Sequence, residues 1–256
     1  MVLKLKITIL KIKLKKNIYN LILYHTIMNN RLITKSFSIL QFVSDLHLER
    51  GYKRNIIPIK PYLILAGDIG YPNQDNYKQF MLEMSNKFDK VFVISGNHEF
   101  DNLLNPFKLE PIETEIRNIC AMRNNLFYLQ KSQHVIDDSD NIILAGCTLF
   151  SELPKSKNDY HYDHSLWLRN ITKENKNSNY IIATHHCPHI NLINKKYHNF
   201  VPRYFASNQS EVFSRDNVFM WIFGHSHDNV NMVMNNTLFM TNQYGGFKYP
   251  IKNYKK

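Results

Sequence analysis

The chain has 256 residues, 44% of them hydrophobic, enough to fill the core of one sizeable domain. Its 32 Lys and Arg against 21 Asp and Glu give a formal net charge of +11, which favours phosphate-bearing partners over acidic proteins. Three widely spaced cysteines, Cys120, Cys147 and Cys187, argue against a disulfide framework or a thiolate zinc site and suit a reducing, cytoplasmic setting, and no apolar stretch approaches the ~20 residues that cross a bilayer.

Much of the charge excess stands at the two ends, in residues 4–16 and in Lys248, Lys252, Lys255 and Lys256. A solvated or purely compositional origin accounts for it as well as nucleic-acid binding does. From residue 3 to 15 apolar and Lys positions nearly alternate, the period of a strand with one wet and one dry face. Residues 1–36 read as a basic N-terminal extension that catalysis does not need, and Met28 offers an alternative start. The stretch 18–28 is broken by Asn20, Tyr24, His25 and Thr26 and lacks a small-residue cleavage site, so it is neither a membrane span nor a signal peptide.

Residues 37–256 read as one domain. Short apolar runs at 37–43, 62–66, 91–94, 142–145, 180–183, 218–223 and 237–240 have the length and Ile, Val and Phe content of strands buried on both faces. Helical spacing is clearest at 76–88, where Phe80, Met81, Met84 and Phe88 form a core stripe, and around 113–123. Strands alternating with helices early and clustering late predict an α/β sandwich with two sheets.

Polar residues of one chemical kind stand at the ends of these runs. They are Asp45-Leu46-His47, Gly67-Asp68, Gly96-Asn97-His98-Glu99, His185-His186-Cys187-Pro188 and Gly224-His225-Ser226-His227. In open α/β sheets the loops at strand C-termini build the active site. Side chains two apart on an extended strand end point the same way, so Asp45 with His47, and His225 with His227, can each face one site. Imidazole and carboxylate together suit Zn²⁺, Mn²⁺ or Fe. One such residue at a strand end is ordinarily a cap; five motifs together predict a metal site. Gly67, Gly96 and Gly224 directly precede candidate ligands, where a residue without a side chain permits close backbone approach.

The five motifs, in this order, resemble the calcineurin-like metallophosphoesterases, a superfamily of protein phosphatases, purple acid phosphatases, nucleases and cyclic-nucleotide phosphodiesterases. The resemblance runs over residues 38–246 and extends to Ser44–Glu49 (S-D-L-H-L-E), Leu65–Ile69 (L-A-G-D-I), Gly146–Ser151 (G-x-T-L-F-S) and Asn242-Gln243. It implies a four-layer αββα sandwich of two mixed β-sheets flanked by helices. It further implies two metal ions (Mn, Fe or Zn), one on Asp45, His47 and His227, the other on Asn97, His185 and His225, with Asp68 bridging. Such a pair activates a water for in-line attack on phosphorus, and His98 is the implied general acid toward the leaving oxygen. The expected substrate is a small phosphomonoester or phosphodiester, with no membrane or protein partner inferred.

Several assignments stay open. Of the adjacent His185 and His186 only one should bind metal, and His185, right after the apolar run, is preferred; His186 and Arg203 are candidate substrate contacts. Cys187 reads as a small filler and Glu99 as support for the His98 loop. The cluster of His161, His164, Trp167, His189, His198 and Arg203, with Tyr160, Tyr162 and Tyr197, is either a substrate cap or an ordinary polar surface. Two other functions compete: a nuclease or nucleotide phosphodiesterase, suggested by the basic balance, and a metal-bearing scaffold without catalysis, which the full ligand set disfavours.

Overall fold

A computed structural model describes residues 28–101, 109–151, 159–195, 205–246, 248–251 and 254–255. Helix α1 (residues 28–39) leads into β1 (Leu40–Val43), β2 (Tyr62–Ala66), α2 (Asp75–Lys87) and β3 (Lys90–Ile94). Helix α3 (Glu110–Cys120), β4 (Leu126–Tyr128), β5 (Ser132–Asp137) and β6 (Ile142–Cys147) follow. The chain continues through α4 (Asp159–Glu174), β7 (Asn179–Thr184), α5 (Ser210–Phe213), β8 (Val218–Ile222), β9 (Asn231–Met234) and β10 (Thr237–Met240).

The strands form two sheets, ordered β1-β2-β3-β4 and β5-β6-β7-β8-β10-β9. The larger is mixed as expected, with β5 and β9 antiparallel at its edges; the smaller, among the described residues, departs from expectation and is parallel throughout. Side-chain alternation sorts each strand between layers. In β2, Leu63 and Leu65 join Tyr77, Met81 and Met84 of α2 and Ile116 and Ile119 of α3. Ile64 and Ala66 point the other way and meet Leu144, Ile181, Ala183, Met220 and Ile222 of the second sheet. In β8, Trp221 turns outward onto Leu168 of α4 and Val212 and Phe213 of α5. The order helix, sheet, sheet, helix gives four layers and three apolar seams, each fully buried aliphatic or aromatic side chain contributing about 1.5–3 kcal/mol of transfer free energy.

Helix α2 forms because Tyr77, Phe80, Met81 and Met84 recur at i, i+3, i+4 and i+7, one apolar stripe against the sheet. Near the N-terminus of the described chain the expected strand 37–43 is shorter: residues 37–39 finish α1, and β1 starts at Leu40, where pairing with Tyr62 begins. Leu32 of α1 is buried in the inter-sheet seam, and Ser36 Oγ donates back to the Leu32 carbonyl. The boundary expected at residue 37 therefore falls inside a packed helix; residues 1–27 lie outside the described residues. No described helix is long and apolar enough to cross a membrane.

Candidate metal centre

Parallel pairing sends the C-terminal ends of β1, β2, β3, β7 and β8 toward one rim. All five sequence motifs follow those ends. The two sheets are tied together there: the segment after β10 pairs with the segment after β1, through a parallel bridge between Ser44 and Gln243 and through Tyr244 N–H to the Ser44 carbonyl and Gly246 N–H to that of Asp45. Gln243 is fully buried; its Oε1 accepts from the His227 N–H at 2.6 Å and its Nε2 donates to the Asp228 carbonyl at 2.7 Å, fixing the Gly224–His227 turn. At Gly96 a Cβ would collide with Asp68 and lie 2.8 Å from His185 Cε1, so the close approach of three motifs requires glycine.

Asp45, His47, Asp68, His225 and His227 all have positive φ, between 49° and 69°, a conformation uncommon for residues with a side chain and one that concentrates at functional sites. The result is convergence. Ligand atoms of Asp45, His47, Asp68 and His227 lie within 4.8 Å of one another, and so do those of Asp68, His185 and His225. Asp68 belongs to both groups. Asn97 Oδ1 is 3.2 Å from His185 Nε2, which places the amide beside the second group.

The histidines are oriented by partners on the opposite ring nitrogen. His185 Nδ1 is 2.9 Å from the Ala66 carbonyl and His47 Nδ1 is 2.8 Å from Glu49 Oε1, so each donates at Nδ1 and turns Nε2 toward the cluster. Among the described residues His47 Nε2 is buried with no hydrogen-bond partner, a costly state that a cation would relieve. The donors are imidazole nitrogens, two carboxylates and an amide oxygen without a thiolate, which fits Zn²⁺, Mn²⁺ or Fe. These residues fit a metal site. Cys187 is buried, donates to the His189 carbonyl, has its thiol pushed up to about 12 by burial, and stands outside both groups.

Burial works to raise the pKa of Asp45, but the hydrogen bond to His227 and the charges of His185 and His227 hold it below the ordinary carboxylate value. Burial likewise opposes ionisation of Asp68, and His185, by charge and hydrogen bond, with His98 and His47, holds it well below that value. Glu99 behaves differently. Fully buried, and beside Asp68, it is pushed up to about 7, and its oxygens accept from the N–H groups of Asp68, Ile69 and Gly96. That is the expected supporting role for Glu99: it staples the second motif to the third.

His98 is outside the two groups that share Asp68 but forms a third with His47 and Glu49; its side chain is 29% exposed, with Nε2 3.9 Å from Asp68 Oδ2. Its Nδ1 donates to Asp101 Oδ2 at 2.6 Å, and chiefly through that bond its pKa is raised to about 9. Asp101 and Glu49 are the two supporting residues that sequence reading passed over. Glu49 was within the S-D-L-H-L-E match, two residues from His47, and Asp101 lies one helical turn past His98.

His186 is buried, with its ring 4.1 Å from that of His225 and its pKa pushed well down by burial and by the charges of His225 and His185. It stands outside both ligand groups, and it has little exposed surface through which to meet a substrate. Arg203, His198 and Tyr197 lie outside the described residues. The other members of the suspected cap separate: His161 and His164 sit on α4 and hold the turn after β6, Trp167 packs on the outer seam, and His189 packs on Phe213.

A two-sheet sandwich with an Asp and His cluster at its common rim is the architecture of a metallophosphoesterase. The chain belongs to the calcineurin-like phosphoesterase family, whose model matches residues 40–229. The family generally uses divalent metals. Uncharacterized protein L509 of Acanthamoeba polyphaga mimivirus is 29% identical over 260 residues, covering 81% of this chain and 91% of its own. In fold the chain is similar to phosphopantetheinyl hydrolase from Mycobacterium tuberculosis, with a TM-score of 0.63 at 15% identity over 83% of this chain and 90% of that one. A dimetal phosphatase from Danio rerio aligns with a TM-score of 0.50 at 13% identity over 79% of this chain and 86% of that one.

Proposed function

We propose that this protein hydrolyses a small phosphoester with two metal ions, one on Asp45, His47 and His227, the other on Asn97, His185 and His225, with Asp68 common to both. The observation that carries the reading is the membership of Asp68 in two convergent donor groups. When bound, such a pair supplies Lewis-acid charge for phosphoryl oxygens and a nucleophilic water at neutral pH.

The chain's own residues do the rest. Glu99 and the Ala66 carbonyl fix Asp68 and His185 before substrate arrives, so no reorganisation is needed in the reaction. His98 holds a proton at Nε2, on the open side of Asp68, where it can pass to a leaving oxygen; Asp101 keeps the ring in that orientation and stabilises its charged form.

Purified protein supplied with Mn²⁺ should hydrolyse an aryl phosphate ester and lose that activity after chelation, regaining it on metal return. Absence of turnover across monoester and diester panels with Mn²⁺, Zn²⁺ and Fe²⁺ would reject the proposal.

A further inference from the structure

The Gly146–Ser151 motif takes no part in the donor groups, yet it reaches the same rim, because β6 runs parallel to β7 and its C-terminal end leaves beside that of β7. There the chain does something unusual. Leu149 and Phe150 have φ of 70° and 48°, two consecutive bulky residues in a conformation that glycine or asparagine would adopt with less strain. Helix α4 holds them so: His161 Nδ1 lies 3.1 Å from the Leu149 carbonyl and 3.0 Å from that of Phe150, and the Leu149 N–H donates to His164 Nδ1 at 3.1 Å. Burial pushes the His164 pKa down to about 4, which keeps that ring neutral and able to accept.

Leu149 points into the outer seam, whereas Phe150 stays half-buried. Its ring packs 5.7 Å from that of His164 and 6.0 Å from that of Tyr160 on α4, and it stands 5.6 Å from the ring of His186 and 6.0 Å from that of Phe100, directly after His98 and Glu99, so it spans from α4 and the His98 turn to the His186–His225 pair. Phe205, also half-buried, brings a second ring to 5.4 Å from His225. Aromatic faces bordering a phosphoester centre are what a flat ring on the substrate would stack against.

We infer that Phe150, with Phe205, forms an apolar recess beside the cluster that selects phosphoesters whose organic part carries a planar aromatic ring. The inference rests on the phosphoesterase reading above and narrows its substrate class. Phe150 is then a specificity-determining residue, and α4, with His161 and His164, is the device that keeps it in place.

Adenosine 5′-monophosphate and ribose 5-phosphate both leave through a primary 5′-oxygen and differ at C1′, where one carries the base and the other a hydroxyl, so the pair isolates the ring. On the Mn²⁺-loaded protein, kcat/KM should favour the nucleotide, and Phe150→Ala should remove about tenfold of that preference through KM, as expected for loss of one stacking contact. Turnover of ribose 5-phosphate and metal content should stay as they were, and Phe150→Tyr should keep the preference. No preference in the parent protein, or equal losses on both substrates in Phe150→Ala, would overturn the recess. Equilibrium binding of both compounds to the three proteins separates the two claims. If neither is hydrolysed but the nucleotide binds more tightly and Phe150→Ala abolishes the difference, the recess stands and the hydrolysis reading falls; equal binding of both overturns the recess.

Discussion

The two ends of the strands use the same acid–base chemistry to opposite purposes. At the C-terminal rim Asp45 and Asp68 are buried among histidines, on a backbone with positive φ. At the N-terminal rim Asp137 and Asp140 meet Lys35 and Arg31 of α1 at 2.7 Å, with both cations partly exposed to solvent. Desolvating a charge costs several kcal/mol per ion, so the first arrangement persists only where cations remain to balance it. Exposed pairs carry little such cost and return little stability. Buried, strained carboxylates mark where the fold gives up stability for chemistry; the pairs whose cations reach solvent pin a helix.

Breaking the C-terminal rim should therefore have the largest effect. Asp68→Ala removes the carboxylate common to both donor groups, which also accepts the His98 N–H at 2.9 Å and lies 3.2 Å from His185 Nε2. Turnover should fall on the order of a thousandfold, about 4 kcal/mol of transition-state stabilisation, with loss of bound metal measured by elemental analysis. Retention of two ions with near-normal kcat would show that Asp68 is not shared.

His98→Ala tests whether proton transfer is separate from metal binding at this rim. General acid catalysis typically contributes ~100- to 10,000-fold, most where the leaving group is poor. An alkyl ester should lose far more rate than a nitrophenyl ester, with metal content unchanged. The acid must be protonated to act, and Asp101 holds its pKa at about 9; Asp101→Asn should thus move the alkaline limit of kcat/KM toward lower pH. A limit that stays in place would remove Asp101 from the mechanism.

Glu49→Gln should act more gently. The amide still reaches His47 Nδ1 but no longer presents a charged acceptor, and comparable changes next to a ligating histidine cost ~10- to 100-fold in metal affinity. Metal titration should show weaker binding, with kcat near normal at saturating metal. An unchanged affinity would assign the 2.8 Å contact to packing alone.

The rim was legible in the sequence because each motif follows a strand buried on both faces, whose continuous apolar run announces its own end. What escaped has a physical reason in each case. Helix α4 buries His164, Ser165, Leu168 and Thr172, so its inner stripe is mostly polar and shows no apolar period. Strands β4 and β9 are three and four residues long, and β9 is largely exposed, leaving no run to find. Helix α1 passes straight into β1 at Leu40 with no turn between them, so the sequence reading divides it between the extension 1–36 and the apolar run 37–43. His161 stays open in the sequence between a substrate cap and an ordinary polar surface, because its partners are backbone carbonyls of a turn eleven and twelve residues away, which side-chain chemistry does not reveal.

Lys35→Ala should have the smallest effect, and its pH dependence identifies the cause. Lys35 Nζ is 2.7 Å from both Asp137 Oδ2 and Asp140 Oδ2, and its hydrogen bond is the first reason that Asp137 is lowered to about 2. A carboxylate with a depressed folded pKa stabilises above its unfolded value, about 3.9, and loses that contribution as pH falls through about 2. Lys35 is raised in turn, by Asp137 and Asp140, so its share is complete below the unfolded lysine value of about 10.4 and is lost as pH climbs through the folded one. The substitution should lower Tm by no more than about 2 °C between roughly pH 5 and 9, with the difference shrinking at both extremes and in 1 M salt, where screening reaches ~3 Å. Arg31 still pairs with Asp140, so α1 should remain docked, and metal content and turnover should match the parent protein. A salt- and pH-dependent loss of Tm far beyond about 2 °C would mean that α1 is held by this pair rather than by Leu32 in the inter-sheet seam, and the contrast between the two rims would fail; a loss indifferent to salt and pH would mean that the ion pair is not its cause.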